Sequence, residues 1–340
     1  MLRSLAFAVL VAAGGACSWF DLPAAPDAAT SAWSAGPAMP RRALDPGVTA
    51  LGLELVVAGG FDTSAAEGQD ITSRVDVYDT GAGTWSRLPD APVRWTSINL
   101  AAIGGTLYLV GGLEGPQRVA RGDSFALDPI DHVWRALPPM PPGYERGAAG
   151  VVTAPGRIYL LGGASSTGPV ASCLELDIAT RTWSHLPDLP APRAHPAATR
   201  RSDGTLIVAG GLASLDASQP RGEVWALPPP GAVPRAWTPR TAMHAPGDPE
   251  IRGDCAYGLV LGQLVCAGGE GGLGAHREVE SYDPFLDIWR RDLEPMPVAR
   301  TGTPGAAIGG RLFVPGGAAT PTVDPSDTLY IYTPLATAPR

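Results

Sequence analysis

The chain has 340 residues, 45% of them apolar, enough for a large buried core. The formal net charge is −8, all 25 basic residues are Arg, and no basic stripe runs along the sequence, which argues against sequence-general nucleic-acid binding. The 36 Pro and 43 Gly recur periodically between apolar runs, as the turns of a multi-stranded antiparallel protein require, and do not form the aperiodic tracts of a disordered chain.

The chain opens with MLRSLAFAVLVAAGGAC, in which Arg3 is a positive n-region, Leu5–Ala13 an apolar h-region, and small residues lead to Cys17. This is the pattern of an export signal over 1–16, too short for a stable membrane span. The run before Cys17 resembles a bacterial lipoprotein processing site, with Gly14 where such sites usually carry Leu. That resemblance implies a lipidated Cys17, a tether over 17–30, and an envelope location, with Ser18 consistent with sorting to the outer membrane. The alternative is an ordinary signal cleaved after Ala16.

From Trp33 onward the chain repeats itself. Gly-Gly doublets fall at Gly59-Gly60, Gly111-Gly112, Gly162-Gly163, Gly210-Gly211, Gly268-Gly269 and Gly316-Gly317, at spacings of 52, 51, 48, 58 and 48 residues. Trp33, Trp85, Trp134, Trp183, Trp237 and Trp289 keep step with them. In the second unit, TSINLAAIGGTLYLVGG predicts one hairpin and SFALDPIDHVW a second. Each unit is thus four antiparallel strands, and a sheet of that size buries its faces only by stacking on its neighbours. A period near ~50 predicts propeller blades. The last unit lacks its fourth-strand Trp, and Trp33 lacks a preceding doublet. The segment around Ala32–Ser34 is therefore expected to complete the last blade, closing a ring of six blades over 31–334, with a tail at 335–340.

The units VDVYDTGAGTW (Tyr78, Trp85) and ESYDPFLDIW (Tyr282, Trp289), each preceded by an apolar strand and Gly-Gly, resemble the kelch-repeat family, in which a Tyr stands seven residues before a Trp. Leu127 and Leu176 replace the Tyr in two units, and the fourth carries a longer turn in EVWALPPPGAVPRAW. The resemblance implies an all-β, six-bladed kelch-type propeller.

Each unit places an Arg shortly before its innermost strand: Arg42, Arg94, Arg146, Arg193, Arg252 and Arg300. These lie in connections that topology sends to one face. Two roles are open for them: hydrogen bonds within the loops, or planar donors at the channel mouth for carboxylate or phosphate. Similarly placed Arg residues grip acidic peptides in eukaryotic kelch propellers, so the resemblance implies a peptide- or anion-binding mouth. Trp95 and Tyr144 flank two of them, an interface-like composition. Asp62, Glu114 and Glu270, just after doublets, should reach the same face.

Cys255 and Cys266 lie on one hairpin. If Leu261-Gly262 is the turn, Tyr257 faces Cys266 and Cys255 is its diagonal neighbour, a separation usually too long for a bridge; export favours oxidation, so a disulfide is possible but opposed by geometry. Cys173 is expected to be a small buried residue. The five His show no metal-ligand spacing, and no catalytic motif or copper-binding tyrosine–cysteine–histidine set is present. No cofactor or metal is expected. His195, near the mouth, is either a loop hydrogen-bonder or an acid/base group. The expectation is a non-catalytic envelope binding module that presents a loop face to a protein, peptide or glycan, acidic partners included, with membrane contact through the lipid anchor only. The alternative is a sugar-processing enzyme of the sialic-acid epimerase or oxidase kind. It would show a mouth pocket in which a carboxylate and a His serve one sugar-sized volume.

Overall fold

The computed structural model describes residues 32–335 except 64–69, 129, 273 and 321–322. The predicted signal segment, Cys17 and the tether lie outside the described residues. The described residues form strands, turns and loops, with no helix among them.

Six antiparallel sheets follow one another, each with four main strands from inside outward, and in the first five that is also the order along the chain. The first comprises Gly47–Leu51, Glu54–Ala58, Val75–Asp79 and Thr84–Leu88. The sixth takes Ala306–Ile308, Arg311–Pro315 and Leu329–Tyr332 from the C-terminal end and Trp33–Ala35 from the N-terminal end. Trp33 stands opposite Tyr332 and Ala35 opposite Tyr330, so the first strand is the outer edge of the last blade.

Three hydrogen-bonded systems repeat from blade to blade. On the outside, each outer-strand Trp donates its indole Nε1–H to a carbonyl of the neighbouring blade's exit segment. Trp85 bonds Pro37, Trp134 bonds Pro89, Trp183 bonds Pro138, Trp237 bonds Pro187, Trp289 bonds Thr241 and Trp33 bonds Glu294, all at 2.8–3.1 Å. Trp33 thus occupies the sixth blade's equivalent position, which is why this sheet needs the N-terminal strand. The large ring fills the wide outer gap, half-buried in five blades and buried at Trp33, and its N–H is satisfied.

In the middle, residues just after each doublet pair with the connection entering the same blade. Leu44 pairs with Phe61, Trp95 with Glu114, Gly147 with Ala164, Ala194 with Leu212, Gly253 with Glu270, and Thr301 with Ala318. The doublet's bend has no room for a side chain. A Cβ on Gly268, at φ +65, would sit 2.4 Å from the Arg300 carbonyl of the next blade.

At the axis, one residue per blade takes a left-handed conformation: Asp45 (φ 52), Ser97 (46), Ala148 (53), His195 (48), Asp254 (53) and Gly302 (65). Their N–H groups form a chain around the channel. Ser97 donates to Asp45 O, Ala148 to Ser97 O, His195 to Ala148 O, Asp254 to His195 O and Asp45 to Gly302 O, at 2.7–3.1 Å. Gly302 N–H completes the circle on a side chain, the Asp254 carboxylate, at 2.7 Å.

Cys255 and Cys266 are bridged, with Cα atoms 5.6 Å apart. The expected register holds, since Tyr257 faces Cys266. The inference that the diagonal is too long does not hold. Cys255 precedes the strand Ala256–Val260 and follows Asp254, whose left-handed turn takes it off the flat lattice that the inference assumed.

Candidate functional site

The connections entering each blade and the loops after each doublet share one face, here the loop face. There the structure separates the sequence-predicted arginines into two groups. Arg146, Arg193, Arg252 and Arg300 are at most 5% exposed. Arg146 donates to the carbonyls of Tyr144, Gly162 and Ser172 and to the Ser172 hydroxyl. Arg252 donates to Gly268 O and Glu250 O and faces Glu280 at 3.2 Å. Arg193 bonds Pro192 O and Glu223 and stacks on Trp225; Arg300 bonds Ala299 O and Ser326 and stacks on Tyr330. These guanidiniums hold loop carbonyls, two of them those of doublet glycines, and do not form an open cationic circle. Burial pulls the Arg146 pKa down to about 10, a measure of how far it is withdrawn from water.

Arg42 and Arg94 are exposed. In the first blade the buried role belongs to Arg41, which donates to Asp76 at 2.8 Å and to Gly59 O at 2.7 Å. Trp95 is 2% exposed and packs in the core between the first and second blades, so it is not a surface anchor. Tyr144 is half-buried against His185 and Arg146. Glu114 is paired with Arg121 on the exposed rim, whereas Glu270 turns inward.

What converges at the axis is a different set. A cavity of about 420 Å³ on the loop face is walled by Leu44, Phe61, Leu212 and Leu215 and contains Asp45, His195, Asp254 and Glu270. His195 Nδ1 lies 2.9 Å from Asp254 Oδ1. The other Asp254 oxygen accepts from Thr301 Oγ1 at 3.1 Å and from Gly302 N–H. Arg118 reaches over from the second blade, its guanidinium 3.9 Å from Asp45 and hydrogen-bonded to Leu215 O. A second cavity of about 330 Å³, lined by inner-strand residues such as Val48, Ala101 and Val152, shares Asp45, His195 and Asp254. The left-handed ring therefore lies between the two. Within the second cavity, Tyr257 crosses from the fifth blade to accept the Val151 N–H of the third, at 3.2 Å.

The axial groups couple strongly. Burial opposes charge on His195, but Asp254, by charge and hydrogen bond, then Asp45 and Glu270, outweigh it and lift the imidazolium to about 9. Asp254 is held below the usual carboxylate range: burial opposes this, and His195 with the Gly302 and Thr301 donors overcomes it. Burial and the Asp254 charge push Glu270 up to about 7, and the same two causes raise Asp45. Near neutrality the site thus holds an imidazolium–carboxylate pair beside a carboxyl that exchanges its proton at that pH, a set able to give and accept hydrogen bonds at once.

Sequence reasoning weighed His195 alone and missed Asp45 and Asp254. Both stand in the same repeat column as His195, two residues before the inner strand. The arginine column, two or three residues earlier, drew attention because its residue type repeats; this column varies.

The six-fold recurrence of the doublet, the Trp stitch and the four-stranded sheet coincides with matches to the Kelch motif family model at residues 42–92 and 145–190. The chain carries kelch repeats. Among kelch relatives, it is 28% identical over 288 residues to Kelch-like protein terF of Aspergillus terreus, covering 78% of this chain and 59% of that protein. It is 30% identical over 129 residues to the human Kelch repeat and BTB domain-containing protein 13, covering 37% of this chain and 28% of that one. The chain thus spans less than two thirds of the length of these relatives. The solved structure of YjhT superposes with a TM-score of 0.68 at 17% identity, covering 86% of this chain and 95% of that one, which supports the propeller fold. Kelch-repeat proteins generally mediate protein–protein interaction, and a binding module fits this chain.

Proposed function

We propose that this kelch propeller is an exported binding module whose loop face engages a protein, peptide or glycan, with the axial cavity as its specificity pocket. The observation that carries this reading is the convergence of Asp45, His195, Asp254 and Glu270, from three blades, in one cavity with apolar walls. Concave sites with a few convergent polar groups on apolar walls are the usual form of ligand pockets. Because the repeated arginines are withdrawn, the pocket suits a hydroxyl- or amine-bearing group. Attraction for acidic partner segments is left to Arg42, Arg94 and Arg118 on the rim. Export and lipidation at Cys17 rest on the sequence pattern, and the Cys255–Cys266 bridge supports an oxidising compartment.

The test is capture of envelope proteins and glycans on the immobilised propeller, repeated with Glu270→Gln and with Arg94→Ala. Loss of the captured species with Glu270→Gln, at unchanged melting temperature, supports the axial pocket. Capture unaffected by Glu270→Gln but lost with Arg94→Ala moves the site to the rim.

One observation favours a second reading, sugar processing. Glu270 exchanges its proton near neutrality and shares a sugar-sized volume with the His195–Asp254 pair, the acid/base arrangement such chemistry requires. Proton NMR of reducing sugars incubated with the protein would show accelerated anomer or epimer exchange, abolished in Glu270→Gln.

A further inference from the structure

Strands alternate in direction within each blade, so the first-to-second and third-to-fourth turns emerge opposite the loop face. Strongly exposed large apolar side chains segregate to this turn face. Leu53 (68% exposed), Ile130 (88%), Val233 (95%), Leu261 (75%), Phe285 (57%) and Leu286 (67%) are all turn residues. Among the described residues, only Val119 and Val298 of the strongly exposed large apolar group belong to the loop face. Water-facing turns favour Gly, Asn, Asp and Ser, so apolar tips on four blades of one face call for a cause.

The fifth blade carries the densest group. Asp283 accepts the N–H groups of Phe285 and Leu286 at 2.8 and 2.9 Å, which spends that carboxylate oxygen on the turn. The Arg201 guanidinium lies 4.3 Å over the Phe285 ring. In the first blade, Asp79 is likewise spent on Gly81 and Ala82 N–H. Beside the fifth blade lies a groove of about 360 Å³ lined by Leu261, Leu293 and Tyr332 and, along its outer side, by Arg290, Asp292 and Glu294. Both ends of the described chain meet there, since Thr333 N–H donates to Ala32 O at 2.7 Å and Trp33 stands opposite Tyr332.

We propose that the turn face is a membrane-docking surface, with Leu261, Phe285 and Leu286 seated at the headgroup–acyl boundary of a zwitterionic bilayer and the loop face turned away from it. This rests on the reading that Cys17 carries a lipid. Fourteen residues lie between Cys17 and Ala32. The chain enters the propeller at the turn face, so a lipid at Cys17 would hold that face against the bilayer. The turn aspartates disfavour a strongly anionic surface.

The test uses the full mature chain with Leu286→Cys, labelled with an environment-sensitive fluorophore, bound to phosphatidylethanolamine–phosphatidylcholine vesicles. Val298→Cys on the loop face is the control; Cys173 is buried and Cys255–Cys266 bridged. The label at 286 should shift to the blue on vesicles and lose about half its intensity or more to doxyl-labelled lipid, with the label at 298 unchanged. A second arm replaces the lipid by an N-terminal histidine tag in Cys17→Ser on nickel-chelating vesicles. This anchors the same chain end whatever the state of Cys17. Failure to sediment in the first arm, with the 286 response present in the second, overturns lipidation and leaves the docking face standing. Vesicle-bound protein whose 286 label stays water-exposed in both arms overturns the docking face. A blue shift without vesicles, with a doubled mass by light scattering, assigns the face to a second copy and also overturns it.

Discussion

The axial pair makes stability depend on pH in a direction that can be stated in advance. His195 in the folded protein holds its proton to about 9, against 6.5 in an unfolded chain. The difference corresponds to roughly 3 kcal/mol of folding stability. That stability is present in full below pH 6.5 and is lost as pH rises through 9. The pair is well sheltered, with the side chains 16% and 9% exposed, so salt should screen it little. The perturbation is Asp254→Asn, which keeps the shape and an acceptor for Gly302 N–H but removes the charge facing the imidazole. Burial then acts with less opposition, and the His195 midpoint should fall by about two pH units or more. Urea unfolding at pH 6.5 and pH 9 should show the wild type losing stability on the order of 3 kcal/mol and the variant losing at most about 1. The two-pH comparison cancels the variant's constant loss, and an NMR titration of His195 follows the midpoint directly. If both proteins lose equal stability over this interval, or if wild-type His195 titrates near 6.5, the assignment of a coupled axial pair is wrong.

Further outcomes follow from the same geometry. Glu270, raised from 4.5 to about 7, should make wild-type stability fall as pH rises between those values, and Glu270→Gln should flatten that limb of the profile. Trp33→Ala empties the last outer gap and orphans the Glu294 carbonyl, a loss of about 3–5 kcal/mol that calorimetry would register as a lower Tm. Arg146→Met leaves the Gly162 and Ser172 carbonyls without their donor and should cost about 2–4 kcal/mol in urea unfolding. Replacing Cys255 and Cys266 together by Ala opens an eleven-residue link and should cost roughly 2–3 kcal/mol, seen as the difference between Tm values without reductant.

The propeller was legible because its determinants are local and repeated. A doublet whose Cβ would strike the next blade admits only Gly, and an outer gap that must be filled and hydrogen-bonded selects Trp. Both therefore stand out at fixed intervals, and the odd counts at the two ends reveal the shared blade. The site was not legible by the same means. Recurrence of residue type marks what every blade needs, and buried arginines holding loop carbonyls are such a need. Arg41 and Arg42 show how finely this is drawn, since adjacent residues of one type have opposite fates. Groups that meet only at the axis, from the first, fourth and fifth blades, are more than fifty residues apart in sequence. No two of Asp45, His195 and Asp254 share a local motif. The Cys255–Cys266 bridge was misjudged for a related reason: flat-sheet spacing does not describe a residue at the turn into the strand.

Six left-handed stations circle the channel on one backbone plan, yet they carry six different residues: Asp45, Ser97, Ala148, His195, Asp254 and Gly302. Their main-chain links account for most of the circle, and Asp254 alone lends a side chain to it. At the other five stations architecture and chemistry are separable. Such a conformation is cheapest for Gly, Asn and Asp, so Ala148 and His195 hold it at a small energetic cost. A lineage could therefore exchange the groups facing the axis one at a time, trading an imidazole for an amide or a hydroxyl, while the strands behind them keep their register. The propeller behaves as a socket with interchangeable pins, and new specificity at its centre requires no new fold.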